Sequence, residues 1–436
     1  MSVSNHTFSI FLRDIFLTIS NTITGIIIAR KLGPEFFGFW MILMLIPSYA
    51  EAFGRIKVDI ASVYFIGKKK YNEFSILNNI NSIGSLITVL IILLFLLFFE
   101  YIYNFLFVDI DYDLKNYVYI IILQIPTQIF FLNYSYYHLA KENIRVYNWM
   151  LIIKAITNII LITIFLLLLN LNILGVIISL IISTFCGFLY GFINSDFSKI
   201  KLYLNISESK DLIRYSLNFY ISGILTHFNE VGVRTLALVF VSPVQIGFLA
   251  LGQNLSKLLN RINDALNSIL FSRISKSNFE SAKDLTIKSF RMISILIFFS
   301  GIIFFVLIKH LIILMYGVEF LESTNIVKII IPGILIYGST TTIMSFFNGV
   351  GMASTIPKIQ IIPILFHLVL AYILIENYGI QGGAAAYSLG LIFYSLLLIR
   401  KFIIITKCTI TDLIPTYNDL ILLKNFINQK LKILIK

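Results

Sequence analysis

The sequence predicts an all-α integral membrane protein with about twelve transmembrane helices, and three observations lead there. Hydrophobic residues make up 58% of the 436-residue chain and charged residues only 13%, too little polar surface to clothe a soluble globule of this length. The apolar runs are continuous and about 20 residues long, the length of a helix across hydrocarbon, and they do not alternate as barrel strands do. Lys and Arg gather in every second link between runs, the pattern of a chain that crosses a bilayer repeatedly.

Taken in order, the spans are expected at 8–29, 36–58, 76–99, 117–139, 148–169, 173–194, 214–240, 244–268, 287–308, 327–348, 359–376 and 380–399. The first two are joined through ARKLGPEFFGFW (29–40), by a turn built on Gly33-Pro34. Gly84, Pro126, Pro332-Gly333 and Pro363 fall inside or near the ends of spans, where membrane helices tolerate them and bend.

The plan of the first turn recurs. Shifted by 209 positions, Pro34 falls on Pro243, Gly38 on Gly247 and Phe39 on Phe248. Each copy begins the second apolar segment of its half, and each segment carries charge near its C-terminal part, Arg55 and Asp59 in one, Arg261 and Asp264 in the other. This predicts an internal duplication related by a pseudo-two-fold, a common transporter construction. Residues 1–200 are expected to form one six-helix bundle and 201–408 a second, with the link 195–213 between them. The tail 409–436 mixes Leu and Ile with Lys424, Lys430, Lys432 and Lys436; it is either a basic amphipathic helix on the inner leaflet or disordered.

Orientation follows from the basic links. Lys68 to Lys70, Lys141 and Arg145, Lys199 to Arg214, Arg273 to Arg291, Lys358 and the tail from Arg400 all fall on one side. The other side has Arg30, Lys31, Lys115, Lys309 and Lys328, with Asp109, Asp111 and Asp113 close together. The positive-inside rule then predicts both termini in the cytoplasm. The net charge of +12 is explained by topology and calls for no nucleic-acid partner.

Other classes lose support. The N-terminus lacks a basic n-region and Arg13-Asp14 interrupts its first apolar run, so no cleaved signal peptide is expected. Cys186 and Cys408 suggest neither a disulfide nor a metal site, and His6, His138, His227, His310 and His367 lack ligand spacing. No phosphate loop, nucleophile elbow or pair of catalytic carboxylates on an exposed loop is present, which argues against an enzyme, an ATP-driven pump or a bound cofactor.

Any chemistry lies in charges inside spans, where each costs a few kcal/mol and therefore faces a cavity or a partner. Arg13 and Lys154 sit a turn or more in from the basic side, Arg55 and Lys57 near the inner end of the second span, and Lys257 and Arg261 in the middle and inner half of the eighth. Arg13, Lys57 and Lys154 can equally snorkel to headgroups. Arg55 can pair with Glu51 and Asp59, four residues away on either side, and Arg261 with Asp264; Lys257 one turn earlier leaves a surplus of cation that needs an anion. In the seventh span His227, Glu230 and Arg234 share a face, either as a self-neutralised pair or as a proton- or ion-responsive switch. Tyr134, Tyr136 and Tyr137 cluster in the fourth span and are not singled out, since membrane tyrosines more often belong to interfacial belts.

The segment IIIARKLGPEFFGFW, with YSLNFYISGILTHFNEVGVRTLALVFVSPVQIGFLALGQNLSKLLNRINDALNSILFSRIS after the midpoint, resembles the Wzx-type O-antigen and polysaccharide flippases of the multidrug/oligosaccharidyl-lipid/polysaccharide exporter superfamily. Where relatives often carry Asp before Arg in the seventh span, this chain reads Glu230-Val-Gly-Val-Arg234. The resemblance implies a V-shaped pair of six-helix bundles that moves a polyprenyl-pyrophosphate-linked oligosaccharide by alternating access. Arg13, Arg55, Lys154, Lys257 and Arg261 are the residues that could hold the pyrophosphate; Glu230, Arg234, His227, Asp59 and Asp264 are candidates, from their own chemistry, for coupling to a proton or sodium ion or for gating, and the departure carries no fixed family role onto Glu230 and Arg234. Membrane lipid and other polysaccharide-assembly membrane proteins are the further partners it implies. The rivals are a drug or cation antiporter of the same superfamily, disfavoured by the basic bias, and a membrane polysaccharide polymerase or glycosyltransferase, disfavoured by the short outer loops.

Overall fold

A computed structural model describes residues 3–107, 112, 114–201, 203–417 and 419, and the regular elements among them are helical. They run α1 (Val3–Leu43), α2 (Leu45–Gly54), α3 (Val58–Gly67), α4 (Glu73–Leu97), α5 (Phe99–Leu106), α6 (Lys115–Ile121), α7 (Gln124–Ala140), α8 (Ile144–Ile162), α9 (Asn172–Ile193), α10 (Ile206–Ala237), α11 (Pro243–Lys257), α12 (Arg261–Ile274), α13 (Phe279–Tyr316), α14 (Ser323–Gly349) and α15 (Thr355–Thr406). The acidic positions Asp109, Asp111 and Asp113, and the tail from 420 with its expected amphipathic helix, lie outside the described residues.

Among the described residues eight helical stretches are long and apolar enough to cross a membrane. Two of them, Leu12–Gly54 and Thr355–Thr406, each contain two expected spans in succession. The divisions are at glycines. Gly33 breaks α1 with φ 69° and ψ 174°, a conformation that a Cβ all but forbids, and Pro34 starts the next helical segment, where a missing N–H costs nothing. Gly379 breaks α15 with φ 57° and ψ −143°, in the gap between the eleventh and twelfth expected spans.

Two expected spans are helical without joining the eight stretches. The seventh is α10, long enough but loaded with His227, Asn229, Glu230 and Arg234. The eighth is α11 and α12 with the 3-10 turn Leu258–Asn260 between them. The second span differs from its expected limit at 58: after α2 the chain is interrupted at Arg55 to Lys57 and resumes as α3 to Gly67. Ile56 and Lys57 take φ 51° and 61°, consecutive left-handed residues that a helix cannot pass through.

The chain forms two compact units, Met1–Val231 with Ser242–Gly247, and Gly232–Val241 with Phe248–Lys436. The core of the first packs Val58, Phe65, Ile76, Leu77 and Ile80 of α3 and α4 against Phe131, Tyr134 and Tyr137 of α7 and Met150 of α8. Tyr134 and Tyr137 are thus core residues, and Asn81 donates to the Tyr134 hydroxyl at 3.2 Å. The core of the second packs Leu270 and Ile274 of α12, Phe290 of α13, Phe346 and Phe347 of α14, and Leu398 and Phe402 of α15.

Buried amides of α4 hold the segment that precedes α10. Asn78 donates to the Lys199 carbonyl at 3.1 Å and accepts from the Lys201 amide at 2.9 Å. Asn79 accepts from the Asn205 amide at 2.7 Å and donates to Glu208 at 2.8 Å. These bonds satisfy backbone groups of an irregular segment that no helix can satisfy. Lys70 and Tyr71 add contacts of 2.6 and 2.7 Å to one Asp211 oxygen, and these hydrogen bonds hold the Asp211 carboxyl below its usual range. A depressed folded pKa stabilises above the unfolded carboxylate pKa and is lost as pH falls through the folded value. The melting temperature of Asp211→Asn is accordingly expected to lie below that of the wild type at pH 7 and to converge with it near pH 3; a constant gap would exclude the pairing.

Candidate functional site

The interruption in the second span creates a place for paired charges. Arg55 caps the C-terminus of α2 and Asp59 lies in the first turn of α3, so each charge meets the helix end whose dipole favours it. The Arg55 guanidinium bonds Asp59 through Nε at 2.9 Å and again through Nη2, and Glu51 through Nη1 at 3.1 Å. Its Cζ lies 5.3 Å from the centre of the Tyr136 ring. Arg55 is 6% exposed and Asp59 fully buried. The local partners expected from spacing are therefore formed.

The network continues to another helix. The second Glu51 oxygen accepts from Gln128 of α7 at 3.4 Å, and the Gln128 carbonyl oxygen accepts from Lys154 of α8 at 3.1 Å. The Lys154 ammonium lies 4.7 Å from the centre of the Phe131 ring and has no carboxylate at ion-pair distance among the described residues. Arg13 of α1 is buried, donates to Asn148 at 2.9 Å, pairs with Asp14 at 2.7 Å and lies 4.9 Å from the Tyr147 ring centre. Tyr147 and Asn148 precede Lys154 on α8 by about two turns, roughly 10 Å. All three cations thus rest on aromatic faces of the first unit, which hold charge without hydrating it.

The structure joins Arg55, Asp59 and Lys154 in one chain of contacts and places Arg13 along the same α8. It reveals Gln128, Tyr136, Tyr147 and Asn148 as partners that sequence reasoning missed; lone amides inside apolar runs were the available signal. His227 and Glu230 belong to the first unit through α10, His227 half-buried with its ring 4.6 Å from that of Tyr49 and Glu230 exposed. The second unit contains half-buried Arg234, half-buried Lys257 at the C-terminus of α11, and exposed Arg261 as the first residue of α12. Lys257 and Arg261 flank the 3-10 turn, so the eighth span, like the second, is interrupted beside its cations. The Asp264 side chain lies outside the described residues. No cluster of three metal-ligating side chains occurs among the described residues.

The sequence matches the family described as polysaccharide biosynthesis protein over residues 27–325. No curated protein matches it. Among solved structures, the fold is similar to the lipid II flippase MurJ in an inward closed conformation, with a TM-score of 0.72 and 19% identity over 92% of this chain and 88% of that one. It is similar to an inward-facing multidrug resistance MATE family transporter of the MOP superfamily, with a TM-score of 0.73 and 14% identity over 90% and 94%. It is also similar to a MOP superfamily transporter from Pyrococcus furiosus whose binding pocket has reverse polarity, suggesting a different function, with a TM-score of 0.60 and 11% identity over 92% and 95%.

Proposed function

The chain belongs to the polysaccharide biosynthesis protein family, and on that premise we propose that it is a flippase for a polyprenyl-pyrophosphate-linked oligosaccharide, the repeat unit of an O-antigen or related surface polysaccharide. It works in the bacterial cytoplasmic membrane with both termini in the cytoplasm, and passes its substrate to the outer leaflet by alternating access.

The observation that carries the proposal is Lys154, a cation inside a stretch able to span the membrane, bonded to a neutral amide and resting on an aromatic ring. Such a charge is retained at a cost of a few kcal/mol and attracts an anion while repelling the cationic drug of an antiporter. Arg55 and Arg13 add planar donors suited to phosphate oxygens. Of the carboxylates they bond, Glu51 and Asp14 have 36% and 57% of their side chains exposed and can yield to a pyrophosphate, while the buried Asp59 stays on Arg55. We assign Lys257 and Arg261 to substrate binding as well. We assign Asp59, His227, Glu230, Arg234 and Asp264 to coupling with a proton or sodium ion, or to gating.

Deletion of the gene is expected to trap complete lipid-linked repeat units on the cytoplasmic leaflet, and its return to restore surface polysaccharide. Lys154→Ala and Arg261→Ala should each lower export by about tenfold or more at normal membrane abundance, since a charge-assisted hydrogen bond contributes about 1.5–3 kcal/mol. Single units that reach the outer surface unjoined would replace the proposal with a polymerase, and wild-type export by both variants would remove the cations from substrate binding.

A further inference from the structure

We propose that a cavity between the start of α4 and the segment after α9 binds the headgroup of an anionic phospholipid, independently of the transport reading above. The cavity holds about 520 Å³ and is lined by Asn72, Glu73, Phe74, Ser198, Lys199 and Lys201. That volume falls among small-ligand sites, which run from about 300 to 1,000 Å³. Its walls are fixed. Buried Asn78 holds the Lys199 carbonyl and the Lys201 amide, and Ser82 donates to the Tyr203 carbonyl at 3.2 Å. The Phe74 ring has the Lys199 ammonium 4.8 Å and the Lys141 ammonium 5.5 Å from its centre. Lys141 pairs with Glu73 and Lys199 with Asp196, each at 2.8 Å. Lys201 has no ion-pair partner among the described residues, so the cavity carries one surplus cation. A phosphodiester headgroup supplies the matching single negative charge.

The surface beside the cavity is one that lipid covers. Phe74, Asn78, Ser82, Leu86, Val89 and Leu93 follow one another on α4 at intervals of three or four and so form a single stripe. Its upper part lies under the segment that Asn78 and Ser82 hold, and its lower part, from Leu86 onward, is exposed. Exposed leucine and valine on a stretch able to span the membrane belong in hydrocarbon. The covering segment continues the trend, with Tyr203, Leu204 and Ile206 exposed after Lys199 and Lys201. Leu86 lies eight residues beyond Asn78, about 12 Å along the helix. The headgroup layer occupies about 5–8 Å next to the hydrocarbon, and a lysine held at the level of Asn78 reaches it by extending its side chain. Cations above, a tyrosine at the boundary and apolar side chains below thus match phosphate, glycerol and acyl chain in order.

The test places the full chain in nanodiscs with phosphatidylglycerol or phosphatidylcholine carrying a diazirine on the headgroup, at equal mole fraction, and maps the labelled peptides after photolysis. Wild-type protein is expected to be labelled by phosphatidylglycerol at residues 72–74 and 198–201 about tenfold more than by phosphatidylcholine. Lys199→Gln with Lys201→Gln should remove that preference, and Lys199→Arg with Lys201→Arg should keep it. Lys68→Gln with Lys69→Gln takes the same charge from exposed positions outside the cavity and should also leave it intact. Equal loss in the two Gln pairs would replace the site with diffuse surface charge. Equal labelling of the wild type by both lipids, or a preference kept by Lys199→Gln with Lys201→Gln, would overturn it outright. Inorganic phosphate at millimolar concentration, compared with chloride at the same ionic strength, should leave the labelling unchanged; its loss would assign the cavity to soluble phosphate and overturn the lipid.

Discussion

Asp59→Ala is expected to cost about 3–5 kcal/mol of stability, because it leaves the Arg55 guanidinium buried with half its ion pairing removed. Asp59 is fully buried and receives two of the three bonds that Arg55 makes to carboxylates. Glu51 takes the third and is one-third exposed, so it cannot compensate in a low-dielectric site. The other Asp59 oxygen, Oδ1, is buried without a hydrogen-bond partner, which means the pair is kept despite an unsatisfied acceptor. Stability alone gives no reason to keep such a pair, since apolar replacements of similar size are often neutral or stabilising by about 1–4 kcal/mol. The double variant Arg55→Met with Asp59→Leu is accordingly expected to melt near or above the wild type in detergent and to export nothing. A well-folded double variant that exported substrate would confine Arg55 to a structural role.

These residues also mark where the sequence could be read and where it could not. The partners Glu51 and Asp59 follow from four-residue spacing because helical neighbours are fixed locally. The left-handed turn at Ile56 and Lys57 does not: neither residue favours positive φ, and a β-branched Ile resists it, so the surrounding packing imposes it. Gln128 for Lys154 and Asn148 for Arg13 were equally hidden, being contacts between helices that no periodicity records. Apolar length located the spans around Gly33 and Gly379 but is a poor guide to α10, where His227, Glu230 and Arg234 dilute the signal. At α11 the repeat adds a marker to the apolar run, because Pro243 and Gly247 repeat Pro34 and Gly38. What the repeat did not reveal is that its two copies meet. Gly38 and Gly247 lie against each other in the first unit, and a Cβ on Gly247 would stand 3.1 Å from the Gly38 Cα.

That crossing leads to an asymmetric expectation for residues that the repeat makes equivalent. A methyl group on Gly38 would overlap the Pro243 carbonyl carbon and oxygen, backbone atoms at the start of α11 that cannot swing aside. On Gly247 the neighbours are the Gly38 backbone at 3.1 and 3.2 Å and a Phe37 ring carbon at 3.3 Å, contacts relieved by a shift of a few tenths of an ångström. Small residues allow helix backbones in a membrane to approach closely, and overfilling a packed site costs about 1–3 kcal/mol or more. Gly38→Ala should therefore lose about 3 kcal/mol and most of its export, and Gly247→Ala about 1 kcal/mol with export largely kept. Membrane abundance, melting temperature and surface polysaccharide measured in parallel decide it. Equal effects at both positions would mean that the helices separate at this crossing to admit either methyl group, and the close approach of the two repeats would then not constrain the fold.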